Sequence, residues 1–242
     1  MAPVQRNIDV RKMINGDPLL DPAWNALATE HERFTVGTGR ARRYPGAVVP
    51  FAALADQSQA SWADLPELLA PAEHVYVFGD QPAGTNGLKV GAPLHTYQMV
   101  WPLRKPIETD RGGMPILRMT AADADAMVAL TTLAFPGFFR ERTHEMGNYY
   151  GIRVDGELVA MAGERLALPG MREVSAVVTR PGHTGKGYAR TLMNCLLREH
   201  ANAGFTSFLH VGVRNTRAVS LYERIGFAVT GSITLWPVSL AS

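Results

Sequence analysis

The amino-acid sequence predicts a mixed α/β fold, most legibly over residues 111–242. Three observations carry that expectation. Residues 149–154 and 157–162 are apolar-rich runs joined by Asp155-Gly156, and an Asp-Gly pair between such runs is the strongest short-range hairpin signal. Residues 187–203 set Ala189, Leu192, Met193, Leu196 and Leu197 on one helical face, directly after a strand and a glycine-rich turn. Residues 216–225 repeat the pattern, with Ala218, Leu221, Tyr222 and Ile225 at helical spacing behind another apolar strand.

Composition permits such a fold and narrows the function. A chain of 242 residues suffices for one large domain or two modest ones, and 46% hydrophobic against 19% charged residues can build a core. The 24 Lys and Arg nearly balance the 22 Asp and Glu, a net charge of +2. That balance gives no push toward nucleic acid or an anionic membrane as partner. One cysteine, Cys195, excludes an internal disulfide and argues against a thiolate zinc site, so no metal is expected. Its apolar helical position reads as a small core residue. Met1 to Leu20 carries Arg6, Asp9, Arg11, Lys12 and Asp17 and has no apolar stretch of signal length. Nothing approaches the roughly 18 apolar residues of a membrane span, so a cytoplasmic location is expected.

In chain order, residues 23–28 and parts of 53–69 look helical, the latter broken by Pro66. His74 to Phe78 reads as a buried strand and Leu94 to Leu103 as another. A glycine-rich break at 110–115 suggests a boundary between a first half, 1–110, and a second, 111–242. Beyond it, Ile116 to Met119 is a short strand. Thr120 then caps a helix that carries Asp123 near its positive end, with Met127, Leu130 and Leu133 on its apolar side. The hairpin follows, then the turn Leu168-Pro-Gly170 into a strand over 172–179 and the helix over 187–203, stopped by Gly204. Phe208 to Val213 is a buried strand, Thr216 to Ile225 a helix ended by Gly226, and 227–237 one or two last strands.

The chemistry centres on Arg180-Pro-Gly-His-Thr-Gly-Lys-Gly-Tyr-Ala189, between that strand and that helix. Glycines let the backbone approach a ligand closely. A helix beginning there adds unpaired N–H groups and the positive end of its dipole, an anion site suited to pyrophosphate. Lys186 and Arg190 add positive charge. A nucleotide P-loop would need Ser or Thr after the lysine, where Gly187 stands. A dinucleotide fingerprint needs Gly-x-Gly-x-x-Gly early in its unit, and here the order is reversed and late.

Together with Val177-Val-Thr-Arg-Pro181 and Asn215-x-x-Ala-x-x-Leu-Tyr-Glu-x-x-Gly-Phe227, this turn resembles the GNAT superfamily of acyl-CoA-dependent N-acyltransferases over about 130 residues. One position departs: Thr184 stands where the family's turn usually opens with Arg or Gln. The resemblance implies a GNAT-like mixed central sheet with flanking helices and acetyl-CoA as co-substrate. The amides of Gly185, Lys186, Gly187, Tyr188 and Ala189, with Thr184, would hold the pyrophosphate. The backbone of Val177, Val178 and Thr179 would pair with the pantetheine arm as an added strand. Asn215 would contact pantetheine or cap its helix, and His183 would edge the cofactor.

Acetyl transfer to an amine needs a neutral nucleophile and a protonated leaving thiol. By resemblance Tyr222 is the general acid; otherwise it is a core aromatic. Glu173, on the strand entering the turn, is the candidate base, with Glu164 a weaker one. His144 would line an acceptor pocket or lie on the surface. The expected acceptor is the primary amine of a small molecule, in a monomer or homodimer. A silent CoA-binding module, or transfer to a protein amine, are the alternatives. The first half, lacking a glycine turn in register, would be a smaller α/β unit resembling a degenerate acyltransferase domain that shapes the acceptor pocket. Its Arg40, Arg42 and Arg43 would meet the CoA 3′-phosphate end or an acidic acceptor, or else form a solvated loop or an interdomain salt-bridge set.

Overall fold

A computed structural model describes residues 17–82, 87–102 and 115–241, so the expected boundary at 110/111 lies outside the described residues. The first half supplies α1 (Pro22–Leu27), β1 (Ala41–Arg43), β2 (Phe51–Leu54), α2 (Gln59–Asp64), β3 (His74–Phe78), β4 (Leu88–Val90) and β5 (Leu94–Trp101). The second supplies β6 (Leu117–Arg118), α3 (Ala124–Thr132), β7 (Tyr149–Val154), β8 (Glu157–Leu168) and β9 (Met171–Thr179). It continues with α4 (Tyr188–Asn202), β10 (Thr206–Gly212), α5 (Thr216–Ile225) and β11 (Ala228–Leu240). No helix among the described residues is long and apolar enough to cross a membrane.

Local chemistry sets the ends of these elements. Thr120 and Asp123 form a reciprocal capping box ahead of α3. Gly204 (φ +78°) and Gly226 (φ +119°) take the left-handed conformation that stops α4 and α5. The hairpin forms as expected, but β8 runs six residues past Ala162, to Leu168. Glu164 and Arg165 masked this extension in the sequence. Both are charged, yet both find partners inside the protein, so the strand stays buried through them.

The strands form one sheet in the order β1-β2-β3-β11-β5-β10-β9-β8-β7-β6, with β4 also on β11. Neighbours are antiparallel except β2 with β3 and β9 with β10. Each parallel pair is joined through a helix, α2 in the first half and α4 in the second. The last strand of each half then crosses over: β5 pairs with β10, and β11 pairs with β3. The two crossing strands also pair with one another, from Ala228↔Val100 to Leu235↔Leu94. The core is shared in the same way. One buried cluster packs Leu27, Phe51 and Phe78 with Leu166, Phe208 and Leu235. A second packs Leu192 and Leu196 of α4 with Leu209, Tyr222 and Phe227.

Candidate active site

The site begins where two parallel strands part. β9 and β10 pair only from Met171↔Thr206 to Glu173↔Phe208, while β9 stays bonded to β8 as far as Thr179. From Val174 onward one edge of β9 is therefore unpaired within the sheet. A bulge aggravates the divergence: Ser175 pairs with Gly163 but Val178 with Met161, and Ala176 sits at φ +52°. Such bulges bend a strand and redirect its backbone groups, and they cluster beside functional sites. A cavity of about 710 Å³ fills the opening, with Val174 to Val177 on one wall and His210 to Asn215 on the other. Residues 92–96 of the first half line it as well. That volume is in the range of small-ligand sites.

At its far end β9 leads into the glycine turn. Gly182, Gly185 and Gly187 have φ of +85°, +80° and +84°, and a Cβ on any of them would meet nothing within 4 Å. Glycine is needed here for backbone conformation and leaves the approach open. Among the described residues, the amides of Gly185, Lys186, Gly187, Tyr188 and Ala189 donate no hydrogen bond within the protein, and Gly187 caps α4 without a side chain. Five free donors at the positive end of a 15-residue helix fit a pyrophosphate. His183 Nδ1, in the same turn, is buried and has no hydrogen-bond partner among the described residues. Thr184 is exposed.

α5 presents Asn215 and Tyr222 to the cavity. Asn215 caps the helix, its Oδ1 accepting from the Ala218 amide at 3.1 Å. Tyr222 is 8% exposed and its hydroxyl makes no hydrogen bond among the described residues. Burial pushes its pKa up to about 12, so the phenol keeps its proton at neutral pH.

Glu173 lies on β9. It is fully buried behind the cavity surface, and both carboxylate oxygens are occupied. Oε2 accepts from Arg165 Nε at 3.0 Å and the Leu166 amide at 3.1 Å; Oε1 accepts from Arg165 Nη2 at 2.5 Å and meets His210 Nδ1 at 2.8 Å. Burial alone would raise its pKa, but the Arg165 guanidinium and then His210 outweigh it and hold the carboxyl well below the usual range. Glu164 is likewise committed, to His200 at 3.0 Å and the Asn148 amide at 3.1 Å. His144 bonds the Glu141 carbonyl at 2.9 Å and does not line the cavity. Arg43 pairs with Glu73 and Arg42 lies over Trp24, so these arginines serve the first half.

Sequence reasoning missed the polar floor. Arg165 and His210 both line the cavity. Gln98 Nε2 donates to the Leu19 carbonyl at 2.7 Å and lies 3.2 Å from His210 Nε2. His210 Nε2 must accept there, which fixes the imidazole with its proton on Nδ1, facing Glu173. A lone histidine inside the apolar strand Phe208-Leu-His-Val211 was the available signal.

The FR47-like protein family matches residues 149–236. A crystal structure from Novosphingobium aromaticivorans, described as an acetyltransferase from the GNAT family, superposes with a TM-score of 0.84 at 30% identity, covering 93% of this chain and all of that one. An uncharacterized protein of Mycobacterium leprae is 32% identical over 150 residues, 57% of this chain and 41% of that protein. A spermidine N(1)-acetyltransferase of Vibrio cholerae is 41% identical over 63 residues, 24% of this chain and 34% of that enzyme. The chain thus spans less than half the length of these two curated relatives. At 30% identity over the whole of that Novosphingobium aromaticivorans chain, this chain belongs to the GNAT family of acetyltransferases.

Proposed function

We propose that this protein transfers an acetyl group from acetyl-CoA to the primary amine of a small molecule by direct attack, with Tyr222 as general acid. One observation carries the reading: a single cavity joins the unpaired edge of β9 to the unbonded hydroxyl of Tyr222, and β9 runs directly into five free amides. CoA supplies the thioester. Val177, Val178 and Thr179 would hold its pantetheine arm as an added strand, and the turn its pyrophosphate. The neutral amine attacks the carbonyl carbon, its surplus proton leaves to water, and the C–S bond breaks. Tyr222 then donates a proton to the departing sulfur and recovers one from solvent. A phenol near 12 is a weak acid beside a thiol of about 8.5 in water. The burial that raises the phenol would also disfavour a bare thiolate beside it, so the two move together. With both oxygens bonded, we assign Glu173 a positioning part, orienting His210 and Arg165.

The first half supports a second element of the reading. The run β1-β2-α2-β3 repeats the arrangement of β8-β9-α4-β10: an antiparallel pair, then a parallel pair joined through a helix. We therefore read it as a reduced copy of the acyltransferase half without a cradle. At the start of α2, Asp56 Oδ1 accepts from the Ser58 amide at 2.9 Å and Ser61 Oγ at 2.6 Å. A carboxylate already occupies the position where an anionic ligand would sit.

The test is calorimetric titration of acetyl-CoA into wild type, Gly187→Trp and Tyr222→Phe, followed by CoA release with an amine panel. Gly187→Trp should lose binding. Tyr222→Phe should bind normally and release CoA on the order of 10²-fold more slowly. Wild type that fails to bind acetyl-CoA would sink the reading.

A further inference from the structure

The cavity carries information about the amine itself. Among the described residues that line it, none is Asp or Glu. The carboxylate beneath its floor, Glu173, has no lone pair left for a ligand. A polyamine brought here would surrender the hydration of a second ammonium and gain no counter-charge. Basic groups, by contrast, are present. Arg165 spends Nε and Nη2 on Glu173, but its Nη1 makes no hydrogen bond among the described residues. Both N–H donors of Nη1 are thus left on a planar guanidinium in the wall. Arg214 adds an exposed positive charge at the rim. The same cavity is also lined by an apolar set, Leu94, Phe135, Phe138 and Leu235. Phe138 is held by stacking on Tyr76, with ring centroids 4.5 Å apart.

Resting on the acetyltransferase reading above, we infer that the acceptor is an amino-acid-like monoamine, a primary amine bearing a carboxylate and an aromatic-sized apolar body. Arg165 Nη1 meets the carboxylate, the phenyl wall takes the body, and the amine is left toward the thioester. The absence of carboxylates at the cavity surface has a second effect. It disfavours the ammonium form of the bound amine and so favours the nucleophilic one.

The experiment measures acetyl-CoA-dependent CoA release by the full chain with L-phenylalanine, phenethylamine and spermidine. Phenethylamine keeps the aromatic body and lacks the carboxylate. The expected result is a kcat/KM at least tenfold higher for phenylalanine than for phenethylamine, with spermidine below both. In Arg165→Lys the ratio of phenylalanine to phenethylamine should fall toward one. That ratio is taken on one preparation, so partial unfolding does not move it. Phe138→Ala should raise KM for both aromatic amines and leave acetyl-CoA affinity unchanged. Equal rates for phenylalanine and phenethylamine, spermidine as the best acceptor, or acetyl-CoA binding without turnover of any of the three would each overturn the inference. Failure to bind acetyl-CoA overturns the acetyltransferase reading beneath it, a separate and earlier outcome.

Discussion

Glu173 occupies its expected place on β9, and its four hydrogen bonds are what support the positioning part proposed for it. Its place on β9, two residues before Ser175, is legible from the sequence; what surrounds it is not. Arg165 reaches it across a bulge in β8, where Glu164 pairs with Val174 but Ala167 with Arg172, and that bulge also frees the Leu166 amide to donate to it. No local pattern announces such a contact. The arrangement makes a prediction that separates positioning from base catalysis. Glu173→Gln leaves the Arg165 guanidinium, only 15% exposed, without its counter-charge. Breaking a buried pair from one side costs about 3–5 kcal/mol. Urea unfolding should show a loss of that order, while the pH profile of the remaining activity keeps its shape. A catalytic base would behave in the opposite way, with stability retained and the alkaline plateau of kcat displaced.

Elements were legible wherever one periodicity held over their length. The helix over 216–225 is found with the limits read from sequence, because Asn215 caps it, four apolar residues share its face and Gly226 ends it. β3 is likewise found at His74–Phe78, as a short apolar run between polar ends. Residues 53–69, which looked helical in parts, divide into the end of β2, the six-residue α2 and a 3₁₀ turn over Pro66–Leu68. Their composition suits any of these, and pairing with β3 decides between them. Gly163 lies in the part of β8 beyond the strand read from sequence. In the structure a Cβ there would lie 2.1 Å from Tyr149 Cδ1, so the glycine is what admits the ring. Tyr149 is itself pinned edge-on to Phe139 at 5.5 Å. Overpacking of this kind costs roughly 1–3 kcal/mol, and Gly163→Ala should lower the thermal midpoint accordingly. Tyr149→Leu placed in the same chain should recover part of the loss, because contacting residues are not additive. Strict additivity in that double-mutant cycle would show that the ring is not the obstacle.

On the scale of the molecule, the two halves share one sheet, one floor and one buried histidine. His31 Nε2 lies 3.3 Å from the Met146 carbonyl of the second half, and Nδ1 lies 3.0 Å from the Tyr44 hydroxyl. Burial is the largest cause of its pKa falling to about 4, well under its ordinary 6.5. The folded state thus binds fewer protons than the unfolded one between those values, and stability falls as pH drops through the window. Against His31→Gln, wild type should lose about 2 kcal/mol more between pH 6.5 and 5; parallel curves would refute the assignment. The strand exchange makes a stronger demand. Which strand sits beside β10 could not be read from sequence, since register between segments more than a hundred residues apart leaves no local trace. Yet β5 lies between β10 and β11, and without it two strands of the second half lose the neighbour that joins them. Phe208 and Leu235 would also lose Phe51 and Phe78 from their shared cluster. A chain of residues 115–242 alone should therefore show no cooperative thermal transition in near-ultraviolet circular dichroism. Adding residues 1–110 as a separate chain should restore one, because the exchanged strands then regain their partners. A fragment that melts cooperatively by itself would mean that β11 can close on β10 directly, and that the first half is an accessory rather than part of the fold.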